Sequence, residues 1–191
     1  GDTARAQWAL DKLISLQPNE PAPYHAQGDL YALNGKLDQA IDSYRKAAEL
    51  GSIDWLENLA YACLWKKQYD RADSCFQVLA ANGKNKSTRS AGRVLLALVP
   101  LYQGKFRQAS EILDHGLAAD EMEQFRGKSK SLKHAWKGII YEQRGHLDSA
   151  LREIELMKLD YPKLFDPFSK LFSAVNHARL LAMNKRFDEA K

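Results

Sequence analysis

A chain of 191 residues with 45% hydrophobic side chains is long enough to bury a continuous core. Its formal net charge is only +4, and its two cysteines are too few for a disulfide framework. The longest apolar stretch, 94–102, is nine residues and contains Pro100, far short of the roughly 20 needed to span a bilayer.

Helical periodicity and turn residues place the elements in order. A helix is predicted over 3–16, and Pro18, Pro21 and Pro23 mark the turn after it. Paired helices follow at 22–33 with 37–50, 53–66 with 69–81, 87–102 with 106–118, and 121–144 with 147–159. A last pair is expected to begin near Asp166. Gly35, Gly104 and Gly145 follow helix ends, where a left-handed residue is wanted. Asp38, Asp70 and Asp148 lie in first turns, which suits the helix dipole. Pro100 falls inside a predicted helix and removes one hydrogen bond. It either kinks that helix and widens a groove locally or is a tolerated irregularity.

One short phrase recurs six times and ends each time on an alanine: Ala6, Ala40, Ala72, Ala109, Ala150 and Ala190. The spacings are 34, 32, 37, 41 and 40 residues, which means a stack of similar units. Twelve residues before each of the last five lies another small residue: Gly28, Ala60, Ala97, Gly138 and Ala178. An invariant gap with elastic joints describes a rigid hairpin of two helices. Antiparallel helices pack about 8–10 Å apart, and a small residue on each partner permits the close end of that range. Four residues after the alanines come Leu10, Tyr44, Phe76, Leu113 and Ile154, one turn on along the same face. Three further on come Leu13, Ala47, Leu79, Gly116 and Met157, which completes an apolar stripe.

This pattern resembles the tetratricopeptide repeat family. Residues 21–52 carry the resemblance best, with Tyr24, Gly28 and Tyr31, then Ala40, Tyr44 and Ala47. Residues 1–20 read as the second half of a repeat, with Ala6, Leu10, Leu13 and a closing Pro18. Residues 53–86 fit through Leu56, Leu59, Ala60, Ala72 and Phe76. Residues 87–130 and 131–165 keep Ala97 with Ala109, and Gly138, Tyr141 and Ala150, but are too long. Residues 166–191 read as the start of a further, truncated repeat. The fold implied is all-α: one right-handed α-α superhelix of stacked antiparallel helix hairpins, a solenoid. The chain opens inside a repeat turn and stops just after a second helix begins, so it is expected to be a piece of a longer, bacterial protein.

In that family the first helices line a concave groove that binds peptides or helices. The matching face here carries His25, Asp29, Glu57, Tyr61, Trp65, Leu98, Tyr102, Trp136, Ile139, Arg179 and Met183. Tyr and Trp are enriched where proteins hold partners. The bland alternative is that these rings pack between adjacent first helices. Family members that hold acidic chaperone tails use a Lys and Asn carboxylate clamp. His25, Asp29, Glu57 and Tyr61 stand there instead, and Asn58 alone cannot make the clamp.

Charge is uneven. Residues 1–83 hold 8 Lys/Arg and 11 Asp/Glu, a net of −3, and residues 84–191 hold 20 and 13, a net of +7. Two runs lack acids: Lys84, Lys86, Arg89 and Arg93, then Arg126, Lys128, Lys130, Lys133 and Lys137. Both open first helices, so they are expected to form one basic strip. That strip is either a solvated face or a dock for an acidic protein, lipid head groups or nucleic acid. Aromatics are not interleaved with the runs, which disfavours nucleic acid.

No Gly-rich phosphate loop, Gly-x-Ser-x-Gly elbow or Cys-x-x-Cys pair is present, and the five histidines share no metal-ligand spacing. The expectation is a protein that is no enzyme and has no cofactor or metal. Cys63 and Cys75 read as small buried thiols in a reducing, cytoplasmic setting. The leading reading is a non-catalytic scaffold with a protein or peptide partner. The alternative is the sensor or docking arm of a larger bacterial signalling enzyme or transcription regulator, because the longer units resemble repeats appended to such proteins. Truncated ends with residues such as Phe187 are expected to favour self-association.

Overall fold

Among the described residues, five positions have left-handed backbone: Gly35, Lys67, Gly104, Gln124 and Gly145, with φ of 72°, 59°, 73°, 51° and 75°. Each closes the same cap. The left-handed residue donates its N–H to the carbonyl three residues back, as Gly35 does to Ala32 and Gln124 to Glu121. The next residue donates to the carbonyl five back, as Lys36 does to Tyr31 and Phe125 to Asp120. These bonds satisfy carbonyls that a helix end leaves unpaired. Pro100 fits the scheme: its carbonyl accepts from Lys105 at 2.8 Å.

The structure, a computed structural model, describes residues 2–51 and 53–160. Its helices are α1 (Asp2–Leu16), α2 (Pro21–Leu33), α3 (Leu37–Leu50), α4 (Leu56–Trp65), α5 (Tyr69–Asn82), α6 (Lys86–Tyr102), α7 (Phe106–Met122), α8 (Lys128–Gln143) and α9 (Leu147–Asp160). A 3-10 turn, Ile53–Trp55, precedes α4, and the described residues contain no strand. The expected single helix over 121–144 is instead the end of α7 and the whole of α8. The break is the left-handed cap at Gln124, a residue that gives no turn signal in the sequence. The last expected pair, with Ala178 and Ala190, lies outside the described residues.

The described residues form two compact units, divided between Val99 and Pro100. In the first, α2 pairs with α3 and α4 with α5, while α1 lies on α2 and α3 on α4. The small residues sit at the buried contacts: Gly28 is buried, and Ala40, Ala60 and Ala72 are fully so. Tyr44 and Phe76, one turn after two of these alanines, fill the core behind them. At Gly28 the fit is tight, because a Cβ there would lie 2.5 Å from two ring carbons of Tyr44. Gly92 of α6 is as constrained: a Cβ there would lie 2.4 Å from the backbone nitrogen of Ala80 in α5.

The second unit packs α8 on both α7 and α9. Ala150, Leu151 and Ile154 form an apolar cluster with Tyr141, Leu147 and Met157. Much of the buried face of α8 is nevertheless ionic. Lys133 meets Asp120 of α7 at 2.7 Å, and both are wholly buried. Lys137 spans Asp114 at 2.8 Å and Glu153 at 2.7 Å. The two ring nitrogens of His134 face Glu153 at 2.7 Å and Asp160 at 3.1 Å. Lys130 joins Asp160 at 3.1 Å and also contacts Glu121.

Burial alone pushes the Glu153 carboxyl up, but hydrogen bonds from His134 and Lys137 outweigh it and hold the group below the usual carboxylate value. Burial pushes Lys130 and Lys137 down, and their carboxylate partners more than reverse this, so both lie above the usual lysine value.

Two tests follow from this packing. Gly92→Ala meets backbone that cannot step aside and is expected to lower stability by about 1–3 kcal/mol. The nearest atom to a Cβ at Gly138 is 3.6 Å away, so Gly138→Ala is expected to be neutral or to raise stability by up to about 1 kcal/mol. Urea melts compare the two, and equal losses would contradict the geometry. For pH, Glu153 is depressed in the folded state. Its contribution is present above the unfolded value near about 4.3 and is lost as pH falls through the folded value. Lys130 and Lys137 are raised, so theirs is present below about 10.4 and is lost as pH rises through the folded values. Thermal melts followed by circular dichroism are expected to show a plateau between these limits. Glu153→Gln is expected to flatten the acid limb, and an acid limb identical to the parent's would be inconsistent with the assignment.

Candidate functional site

The first unit offers a cavity of about 510 Å³ lined from three helices. Asp29, Ala32 and Leu33 come from α2, and Asn58, Tyr61 and Trp65 from α4. Both sets recur at helical spacing, so each helix presents one face. Tyr44 enters from α3. It does so across the gap left by Gly28, and its hydroxyl donates to Asp29 Oδ1 at 2.7 Å.

Asp29 gathers the polar groups. Asn58 donates from its amide nitrogen to Asp29 Oδ1 at 3.3 Å, and the same nitrogen lies 2.8 Å from His25 Nε2. His25 Nδ1 stands 3.4 Å from Asp29 Oδ2. An amide nitrogen facing a carboxylate must be the donor, so His25 Nε2 accepts and the ring proton sits on Nδ1, toward Asp29. Trp55 meets the His25 ring edge-on at 4.7 Å between centroids. Burial, reinforced by the bond to Asp29, pushes the Tyr44 phenol well above its usual value, so it remains a donor. The apolar wall is the Tyr61–Trp65 pair, stacked at 6.1 Å and 29°. Trp65 is 51% exposed.

Of the residues expected in a groove, Asp29, Tyr61 and Trp65 line this cavity and His25 contacts Asp29 beside it. Glu57 is half-buried and is not among the lining residues. Leu98 is buried, so it offers no open surface. Tyr102 and Ile139 are exposed and Trp136 is half-buried, all three in the second unit. A cavity of about 540 Å³ in that unit is lined by other residues, among them Phe106, Arg107 and Arg144. Arg179 and Met183 lie outside the described residues.

The expected basic strip is corrected in its second run. Lys130, Lys133 and Lys137 are buried against the carboxylates of α7 and α9, so they present no basic face to a partner. Their spacing sets them on one side of α8, and that side is the packed one. Arg126 stays largely exposed beside Asp160, and Lys128 is exposed. In the first run Lys84 stands 3.8 Å from Asp54, Arg89 donates to the Gly83 carbonyl, Lys86 is exposed and Arg93 half-buried. Tyr44, Ala32, Leu33 and Asn58 line the cavity but were not among the residues expected in the groove. The place of Tyr44 in the core stripe concealed that its hydroxyl reaches Asp29. Cys63 is buried and Cys75 half-buried, both as free thiols. Burial pushes both thiols up.

Residues 22–50, which span α2 and α3, match the family model described as Tetratricopeptide repeat. No curated protein matches the chain. Among solved structures, pilF of Pseudomonas aeruginosa is 19% identical with a TM-score of 0.68, covering 100% of this chain and 80% of its own. BtubC from P. vanneervenii is 15% identical with a TM-score of 0.73, covering 99% and 84%. YrrB, described as a TPR protein with an unusual peptide-binding site, is 19% identical with a TM-score of 0.51, covering 95% and 87%. These likenesses show an all-α helical-repeat fold. Among the described residues, no helix is long and apolar enough to cross a membrane.

Proposed function

We propose that this tetratricopeptide-repeat protein is a non-catalytic scaffold that holds a peptide segment of another protein against the α2–α4 face of its first unit. The observation that carries the reading is the open cavity walled by the stacked Tyr61 and half-exposed Trp65, with Asp29 and Asn58 at its floor. Apolar walls with a few fixed polar groups suit the capture of a side chain from a bound segment. Aromatic anchors of this kind carry most of the energy in protein interfaces. Asp29 is already ordered by its bonds to Tyr44 and Asn58 and by contact with His25, so little freedom is lost on binding. The similarity to YrrB, whose description includes a peptide-binding site, supports the same class of partner.

A phage-displayed peptide library selected on the parent chain tests this. Selected peptides are expected to bind Trp65→Ala about tenfold or more weakly, in line with an aromatic hot spot. They are expected to bind Trp8→Ala unchanged, since Trp8 is exposed on α1 and is not among the residues that line the cavity. Peptides that do not distinguish Trp65→Ala from the parent would refute the site.

A further inference from the structure

The cavity has a polarity that a generic peptide groove does not require. Its lining contains one carboxylate, Asp29, and no lysine or arginine. The three partners of that carboxylate bring it no formal charge. Tyr44 is a phenol, Asn58 an amide, and His25 accepts from Asn58 and is therefore a neutral imidazole. A carboxylate has about four acceptor positions. Two on Oδ1 are taken by Tyr44 and Asn58, while His25 Nδ1 stands 3.4 Å from Oδ2, so Oδ2 keeps a position for a further donor. The Asp29 side chain is 47% exposed, so that position is reachable.

Beside this charge stand the rings of Tyr61 and Trp65. An aromatic face attracts a cation and also packs against the methylene stem of a long basic side chain. The segment that builds the cavity carries the same sign, since residues 21–65 hold 3 Lys/Arg and 6 Asp/Glu, a net of −3. An acidic segment entering here would face Asp29 with no cation in the lining to offset it.

We infer that the cavity between α2 and α4 receives a lysine or arginine side chain of the bound segment, with its cationic head on Asp29 and its stem against Trp65 and Tyr61. The inference rests on the proposed peptide-holding role of the same cavity and names the chemistry of the residue it takes.

The test uses the isotope-labelled chain and three small probes followed by two-dimensional NMR. The probes are the N-acetyl, N-methylamide derivatives of arginine, of its neutral isostere citrulline, and of glutamate. The arginine probe is expected to give saturable shifts at the Trp65 indole N–H and the Asn58 side-chain amide. The citrulline probe is expected to bind about tenfold more weakly, and the glutamate probe not at all. Asp29→Asn is expected to bring the arginine probe to the citrulline level. Trp65→Leu, at an exposed position, keeps the test sound if Asp29→Asn does not fold, and is expected to weaken the arginine probe. Equal binding of arginine and citrulline, shifts confined to other residues, no shift at all, or an arginine preference that survives both variants would overturn the inference. Selected peptides that lose binding on Trp65→Ala yet carry no basic residue would leave the scaffold standing and overturn only this inference.

Discussion

The site depends on one steric fact, the missing side chain at Gly28. Because α2 has no Cβ there, the ring of Tyr44 occupies the space a side chain would fill and its hydroxyl bonds the next residue, Asp29. The contact that packs α3 on α2 is therefore also the contact that orients the carboxylate. A buried phenol without a partner would cost about 1–3 kcal/mol. Asp29 supplies that partner, and Asn58 of α4 binds the same oxygen, which ties the neighbouring hairpin into the arrangement. Helix packing and the wall of the cavity are two aspects of one set of atoms.

The two units bury their helices by different means. In the first, small residues and rings fill the contacts, and Asp29, Tyr44 and Asn58 bring polar groups together at the cavity. In the second, α8 carries Lys130, Lys133, His134 and Lys137 into the space between α7 and α9, and carboxylates from both sides meet them. Such pairs are not inherently more stabilising than an apolar face, because each ion loses its water. Once formed they are hard to break, since removal of one partner strands a buried charge at a cost of roughly 3–5 kcal/mol. Asp120, wholly buried opposite Lys133, is the clearest instance.

Much of the fold was legible because the hairpin imposes local demands. A left-handed residue must close each one, and glycine does so at 35, 104 and 145. Lys67 and Gln124 adopt the same conformation without glycine. At Lys67 the regular spacing of the repeat still revealed the turn, but at Gln124 nothing did, and α7 and α8 were not separated at the right place. The buried lysines were illegible for another reason. A run of cations normally faces water, and the acids that neutralise this one lie on α7 and α9, out of reach of a local pattern. At the site, the helix face disclosed Asp29, Tyr61 and Trp65. It did not disclose Tyr44, whose ring packs at Gly28 in the core while its hydroxyl bonds Asp29.

The central claim is that the α2–α3 contact and the floor of the cavity are the same contact. A double-mutant cycle of Gly28→Ala and Tyr44→Ala, read by urea denaturation, addresses it most directly. If the methyl and the ring compete for one space, removing the ring relieves the overlap. The double variant is then more stable than the two single losses predict, by about 1–3 kcal/mol. Additive losses within about 0.5 kcal/mol would mean that Gly28 and Tyr44 do not meet, and would contradict the account.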